Sequence, residues 1–134
     1  MKNTIYISFL AIFSLFVITV STPSCKKAKE SKIIGVWKSI PLHSSWDDET
    51  YWEFTPGGNL YRIYNGVPSD TGTYFIEQNL FEGYVTIDNL SEIGGENVNG
   101  RYRIEKLNKT ILNILREVDP YGNNGYKRRE FVKQ

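Results

Sequence analysis

The chain has 134 residues, and most of it is predicted to be all-β, an eight-stranded antiparallel up-and-down β-barrel. Three observations predict this fold. From Ile33 onward, short runs rich in aromatic and β-branched residues are separated by clusters of Gly, Pro, Asn and Asp. No segment after Ile33 has a sustained helical period. The connections are expected to alternate between long and short, as in a meander that satisfies its edge strands by closing into a barrel.

Residues 1–24 have the layout of a secretory signal peptide. Lys2 precedes an almost continuous apolar run over residues 5–20, and small residues then lead to Cys25, the only cysteine. This layout resembles a bacterial lipoprotein signal, which implies cleavage before Cys25 and lipidation of its thiol. An uncleaved membrane anchor and an incidental free thiol are the alternatives.

Residues 25–32 are polar and basic and lack apolar periodicity, so they are expected to form a flexible tether. Residues 33–134 suffice for one small domain with one core. The basic tether favours an outer-membrane lipoprotein of the cell envelope that faces the periplasm. Acidic and basic residues are mixed, with a formal net charge of +1, so no nucleic-acid partner is predicted.

Eight runs are predicted to be strands. In several of them apolar residues alternate with polar ones, as Trp52 and Phe54 do around Glu53, which is expected of a strand with one buried face. The eight runs cover residues 33–40, 49–55, 59–65, 72–78, 80–88, 100–106, 110–117 and 125–133.

The connections predict the two ends of the barrel. Tight turns are expected at 55–59, 78–79 and 107–109, and longer links at 41–48, 66–71, 89–99 and 118–124. Successive connections of an antiparallel meander lie at opposite ends of its strands. The long links are therefore expected to form a looped rim, and the tight turns a closed base.

Gly35 and Trp37, near the start of the first run, are the first landmarks of a resemblance to the lipocalin-like domains of bacterial (Gram-negative) lipoproteins. In lipocalins the Trp closes one end of the barrel, the Gly lets the backbone bend beneath it, and an Arg of the last strand often stacks on the Trp. The resemblance implies a barrel base of Gly35, Trp37 and Arg128, with Arg129 as the alternative arginine. Further landmarks lie at 54–58, 72–74, 100–107, 110–114 and 126–129.

The aromatic residues leave two interpretations of the interior open. Their side chains either plug the barrel or line an apolar pocket in which tyrosine hydroxyls anchor a ligand. The candidate lining residues are Trp52, Phe54, Tyr74, Ile76, Tyr102, Ile104, Leu112 and Ile114. A second set is expected at the rim, as a lid or contact patch, and consists of Trp46, Tyr64, Val67 and Tyr121.

Catalytic and metal-binding residues are not predicted. His43, the only histidine, lies beside two serines, but a catalytic triad is assembled from residues distant in sequence. It is therefore interpreted as a solvated loop residue. The acidic residues 47–49 lack the spacing and glycine of a calcium loop and are interpreted as a solvated rim. One cysteine and one histidine do not supply a zinc site from this chain alone.

The function expected from the sequence is that of a lipid-anchored envelope protein without a cofactor. It would bind a small apolar or amphipathic ligand in its barrel through the looped end, driven by burial of apolar surface. The alternative is a non-catalytic interaction module whose rim contacts an envelope protein or a glycan over a filled barrel. An enzyme is not expected, because no acid–base or nucleophile set is visible.

Overall fold

A computed structural model describes residues 22–41, 50–93 and 96–134. A helix is followed by eight strands, each antiparallel to its neighbours in sequence, and the last strand pairs with the first to close the barrel. The predicted all-β up-and-down barrel is confirmed. The elements are α1 (Thr22–Ile33), β1 (Gly35–Ile40), β2 (Thr50–Phe54), β3 (Asn59–Tyr64), β4 (Val67–Gln78), β5 (Gly83–Asp88), β6 (Gly100–Leu107), β7 (Ile111–Val118) and β8 (Asn124–Lys133).

The eight strands place their links at two ends. We call the end that carries links 55–58, 79–82 and 108–110 the base, and the opposite end the rim. Three rim links have several residues, but β3 and β4 are joined by Asn65 and Gly66 alone. Both have positive φ, 48° and 77°, as in the type I′ hairpin turn that Asn-Gly favours. The prediction of a long link over 66–71 is therefore wrong, because β4 already begins at Val67.

A second boundary differs at the base. The run predicted to begin at Leu80 begins at Gly83, because residues 79–82 form the β4–β5 turn. The Asn79 side-chain oxygen accepts hydrogen bonds from the backbone N–H groups of Phe81 and Glu82, at 2.9 and 2.6 Å. This local bonding competes with the strand ladder and ends β4 at Gln78.

Residues 25–32, expected to be an irregular tether, are helical. Lysine, alanine and glutamate are good helix formers, and Lys26 and Glu30 form an i,i+4 ion pair at 3.7 Å. The apolar anchor of α1 is Ile33, which is fully buried and ends the helix rather than beginning β1. Among the described residues, no helix combines the length and apolar character that crossing a membrane requires.

The core fills the base and the middle of the barrel, and the β5–β6 link adds Leu90 and Val98 to it from the rim end. Its aromatic rings pack on one another: Trp52 and Phe131 have centroids 5.0 Å apart, and Phe54 meets Tyr74 edge-on at 4.9 Å. The buried apolar residues of the core cluster are Ile33, Trp37, Trp52, Phe54, Leu60, Tyr74, Ile76, Val85, Ile87, Leu90, Val98, Tyr102, Leu112, Ile114 and Phe131.

Candidate functional site in the rim half of the barrel

The base of the barrel is closed by Trp37. Its indole Nε1 donates a 2.7 Å hydrogen bond to the carbonyl oxygen of Ile33, which ties β1 to the end of α1. Gly35 has a φ of +130°, a backbone bend that side chains rarely allow. The Lys133 ammonium lies 4.9 Å from the Trp37 ring centroid and donates to the carbonyl oxygen of Ile34 at 2.7 Å. The cation over Trp37 is thus a lysine.

The prediction that Arg128 lies over Trp37 is wrong. Arg128 is half exposed, and its Nε lies 3.2 Å from carboxylate oxygens of both Glu105 and Glu130. Side chains alternate between the two faces of a strand, and Trp37 lies opposite Lys133 in the β1–β8 pairing. Arg128 therefore takes the outer face.

The eight candidate lining residues all face the barrel interior and belong to the core or pack against it. The two tyrosine hydroxyls expected to anchor a ligand are bonded within the chain. Tyr74 donates to the carbonyl oxygen of Thr55 at 2.8 Å, and Tyr102 to that of Val98 at 2.6 Å. Burial raises the pKa of both tyrosines, so these hydroxyls remain protonated donors at neutral pH. The base and middle of the barrel are therefore packed with side chains.

A layer of charged side chains lies above this core, towards the rim. The strands place them on inner faces: Arg62 lies opposite Trp52, Arg129 opposite Ile114, and Arg116 opposite Tyr102. We call this set the rim charge layer, and it consists of Arg62, Asp70, Glu96, Arg116, Lys127 and Arg129.

Arg62 and Asp70 form a buried ion pair within the layer. One guanidinium nitrogen of Arg62 lies 2.6 Å from the Asp70 carboxylate and donates to the carbonyl oxygen of Ser91 at 2.7 Å. The side chains are only 7% and 8% exposed. Burial raises the pKa of Asp70, but hydrogen bonds from Ser91 and Arg62 outweigh it and hold the pKa below its ordinary value.

Glu96, on the β5–β6 link, is shared by two cations. Its carboxylate contacts the Lys127 ammonium and the Arg129 guanidinium. Burial raises the pKa of Glu96, while the Lys127 hydrogen bond and the Arg129 charge lower it further than burial raises it. The Arg129 guanidinium also lies 5.4 Å from the Trp52 ring centroid, so Trp52 forms the boundary between core and layer. Arg116 donates to the Asn97 carbonyl oxygen at 2.6 Å.

The four cations of the layer face its two carboxylates and also the carboxylate of Asp119, which interacts with Arg116, so the described residues have an excess of one positive charge. The Nε atoms of Arg62, Arg116 and Arg129 are buried and have no hydrogen-bond partner among the described residues. Buried charge is costly unless a counter-charge and hydrogen bonds match it. This arrangement is suited to an anionic group, either of a ligand or of the β1–β2 link.

Three of the predicted rim residues lie at the rim. Tyr64 and Val67 flank the β3–β4 turn, and Tyr121 lies on the β7–β8 link. Val67 and Tyr121 are 64% and 77% exposed. Trp46 lies outside the described residues, as do His43 and the acidic residues 47–49. Cys25, the predicted lipidation site, is exposed on α1 at the opposite end.

The rim charge layer was not predicted from the sequence, although the spacing of two of its arginines in the sequence indicates an inward-facing position. Arg62 follows Leu60 at a spacing of two, and Arg116 follows Ile114 in the same way. A charged residue that continues the phase of a buried apolar face points into the barrel. For Arg129 the signal was weaker, because it lies among four successive charged residues and only Phe131, two positions later, continues its face of the strand.

Within residues 22–41, 50–93 and 96–134, no three His, Cys, Asp or Glu side chains come together as a metal site would require. In comparisons with known proteins, no family model matches the chain, and neither a curated protein nor a solved structure shows significant similarity to it.

Proposed function

We propose that this protein is a lipid-anchored envelope protein whose lipocalin-like barrel binds a small amphipathic molecule with an acidic group. The observation that carries the proposal is the surplus of positive charge in the rim charge layer, together with three buried guanidinium Nε atoms that have no hydrogen-bond partner among the described residues. The signal peptide, lipidation at Cys25 and an outer-membrane location facing the periplasm are the parts of it that rest on the sequence.

The arginine side chains of the layer favour a ligand with an acidic group. Guanidinium groups present several N–H donors in a planar fork that fits a carboxylate, phosphate or sulfonate with two parallel hydrogen bonds. The unpartnered Nε atoms of Arg62, Arg116 and Arg129 are such donors, and burial strengthens their interaction with an anion.

The packing below the layer limits the size of the ligand. Trp52 and Phe131 are 1% and 0% exposed and their rings pack against each other at a tilted angle, so a ligand is confined to the rim half. Its apolar part would lie among the rim side chains, where Val67 and Tyr121 are exposed. We therefore expect a short amphipathic acid rather than a long chain threaded through the barrel.

A matched pair of fluorescent probes tests the proposal. Anilinonaphthalene sulfonate and N-phenylnaphthylamine share an apolar part, but only the first carries an acid. We expect the sulfonate probe to bind the folded protein about tenfold more tightly or better, since one charge-assisted hydrogen bond to an arginine is worth about 1.5–3 kcal/mol. Arg129→Gln should remove this preference, whereas Arg128→Gln, a neighbouring exposed arginine, should leave it intact.

Three outcomes would contradict the proposal: equal affinity for both probes, no binding of either, or equal losses in the two variants. Urea unfolding of each variant shows whether a lost affinity reflects a lost fold.

The second candidate function is an interaction module that contacts an envelope protein or a glycan through its rim. Its support is the packed core together with the exposed Val67 and Tyr121. Under this alternative neither probe binds, and Tyr121→Ser weakens capture of an envelope partner without changing stability.

A further inference from the structure

The base of the barrel presents an exposed apolar tip. Leu80 and Phe81, in the β4–β5 turn, are 80% and 92% exposed. The turn that carries them is firmly bonded, because Asn79 donates its backbone N–H to the Glu82 carbonyl oxygen at 3.0 Å and its side chain accepts two more bonds. Two adjacent large apolar side chains are thus held in solvent on a rigid turn, which indicates a surface that something covers.

Helix α1 lies directly beside this turn. The Lys29 ammonium donates a 2.5 Å hydrogen bond to the side-chain oxygen of Gln78, the last residue of β4. A side chain at Gly83, the first residue of β5, would collide with Lys29. Lys29 of the helix therefore contacts both strand ends that flank the turn. We call this continuous surface, formed by α1 with Leu80 and Phe81, the base face.

Helix α1 makes the base face basic. Helix α1 carries four lysines and one glutamate, an excess of three positive charges. Lys26, Lys27 and Lys32 are exposed. Clustered lysines beside an exposed aromatic residue match an interface in which acidic lipid headgroups lie above acyl chains.

The membrane attachment that the proposed function includes, and on which this step rests, also reaches the domain at this face. The apolar run over residues 5–20 precedes α1 directly, and Cys25 lies one helical turn before Lys29, about 6 Å along the helix axis. Whether the acyl chain at Cys25 or the apolar run holds the protein to the membrane, the bilayer is the apolar surface within reach of the tip.

We propose that the base face docks on a bilayer that contains anionic lipids. Leu80 and Phe81 insert at the boundary between headgroups and acyl chains, and the α1 lysines contact the acidic headgroups. The rim, at the other end of the barrel, then faces away from the membrane. This inference does not depend on ligand binding at the rim charge layer.

The test uses the full-length chain reconstituted into vesicles of phosphatidylcholine with or without phosphatidylglycerol, with bromine on the acyl chains as a tryptophan quencher. Tryptophan replaces Phe81 in one variant and Tyr121 in the other. Both positions are well exposed, at 92% and 77%, but they lie at opposite ends of the barrel. We subtract the fluorescence of the parent chain to obtain that of the introduced tryptophan. In Phe81→Trp we expect this fluorescence to shift to the blue and to be largely quenched by the brominated acyl chains. That of Tyr121→Trp should be unchanged.

Charge removal tests the basic part of the proposal. In the Phe81→Trp chain, changing Lys26, Lys27 and Lys32 to glutamine should reduce the quenching in phosphatidylglycerol vesicles to the level seen with phosphatidylcholine alone. Lys29 is left intact because it holds the helix to Gln78.

Three results would overturn the inference. Equal quenching at positions 81 and 121 would mean that the domain has no fixed orientation, and the absence of quenching at 81 would mean that the tip does not reach the bilayer. A blue shift at 81 without bromine quenching would mean that protein covers the tip, either a second copy or the apolar run over 5–20. Failure of the probe-binding experiment leaves each of these readouts unaffected.

Discussion

Arg62 and Asp70 face each other across β3 and β4, and Asp70 also accepts a 2.7 Å hydrogen bond from the backbone N–H of Ser91. One carboxylate thus joins two strands to the β5–β6 link. Glu96 has a similar place, since it joins that link to Lys127 and Arg129 of β8. Removing Asp70 leaves the buried charge of Arg62 uncompensated, so Asp70 has a large effect on stability, whereas Glu96, whose side chain is 38% exposed, has a smaller one.

The lowered pKa values of Asp70 and Glu96 predict an acid-sensitive fold. A carboxyl group whose pKa is lower in the folded state than in the unfolded state stabilises the fold at pH values above its unfolded-state pKa. That pKa is 3.8 for Asp70 and 4.5 for Glu96. That stability is lost as the pH falls through the lowered folded values. We expect the free energy of unfolding, measured in urea, to fall as the pH is lowered from about 5.

The matched variants locate this effect. Asp70→Asn and Glu96→Gln should each lower the stability at neutral pH and flatten the acid limb of the pH profile. Glu77→Gln, which breaks an exposed ion pair with Arg101, should change neither by much. A profile of the same slope in all three variants would show that other groups control acid unfolding.

At the scale of elements, two positive-φ glycines are used in different ways. Gly66 completes the β3–β4 turn, and a Cβ there would meet nothing within 4 Å. Gly35 links α1 to β1 with a φ of +130°, and a Cβ there would approach the Lys133 side chain to 2.7 Å. The first glycine is required only by the backbone conformation, and the second by the conformation and the close approach together.

Alanine substitutions should separate these two costs. Gly66→Ala should lower the free energy of unfolding by about 1 kcal/mol, the cost of a left-handed residue. Gly35→Ala should lower it by about 2–3 kcal/mol, because the backbone strain is added to displacement of Lys133. Chemical unfolding of both variants measures the difference, and equal losses would show that the lysine yields freely.

The closed fold of the whole molecule depends on the contact between the first and last strands. Strand β8 pairs with β1, the backbone N–H of Gln134 donates to the Val36 carbonyl oxygen at 3.0 Å, and Lys133 donates to the carbonyl oxygens of Lys32 and Ile34. This pairing leaves neither strand as an open edge. It also brings Phe131 onto Trp52, deep in the core.

Closure predicts different effects for two aromatic residues of the same strand. Phe131→Ala should cost about 3–5 kcal/mol, because it empties a fully buried site at the seam of the barrel. Tyr126→Ala, at a position that is 76% exposed, should change stability by no more than about 0.5 kcal/mol. Thermal and urea unfolding provide both values. A small loss for Phe131→Ala would mean that β8 contributes little to holding the barrel closed.

Local patterns in the sequence determined the fold class and the number of strands. They also placed Trp52, Phe54 and Tyr102 on inner faces, because the alternation of side chains along a strand is a property of neighbouring residues. They failed where local signals conflicted. Pro68 and Asp70 disfavour strands, and this hid both the Asn65–Gly66 turn and the first half of β4.

Only the tertiary structure decided which cation lies over Trp37, and that the rim half of the barrel is charged inside. Both depend on the pairing of β8 with β1 and β7, whose residues are distant in sequence. In the run of four charged residues 127–130, a shift of one position exchanges the inner and outer faces. The pairing puts Lys127, Arg129 and Lys133 on the inner face of β8 and Arg128 on the outer face. Closing the barrel forms backbone hydrogen bonds and buries Phe131, and this stabilises the fold more than any local conformational preference does.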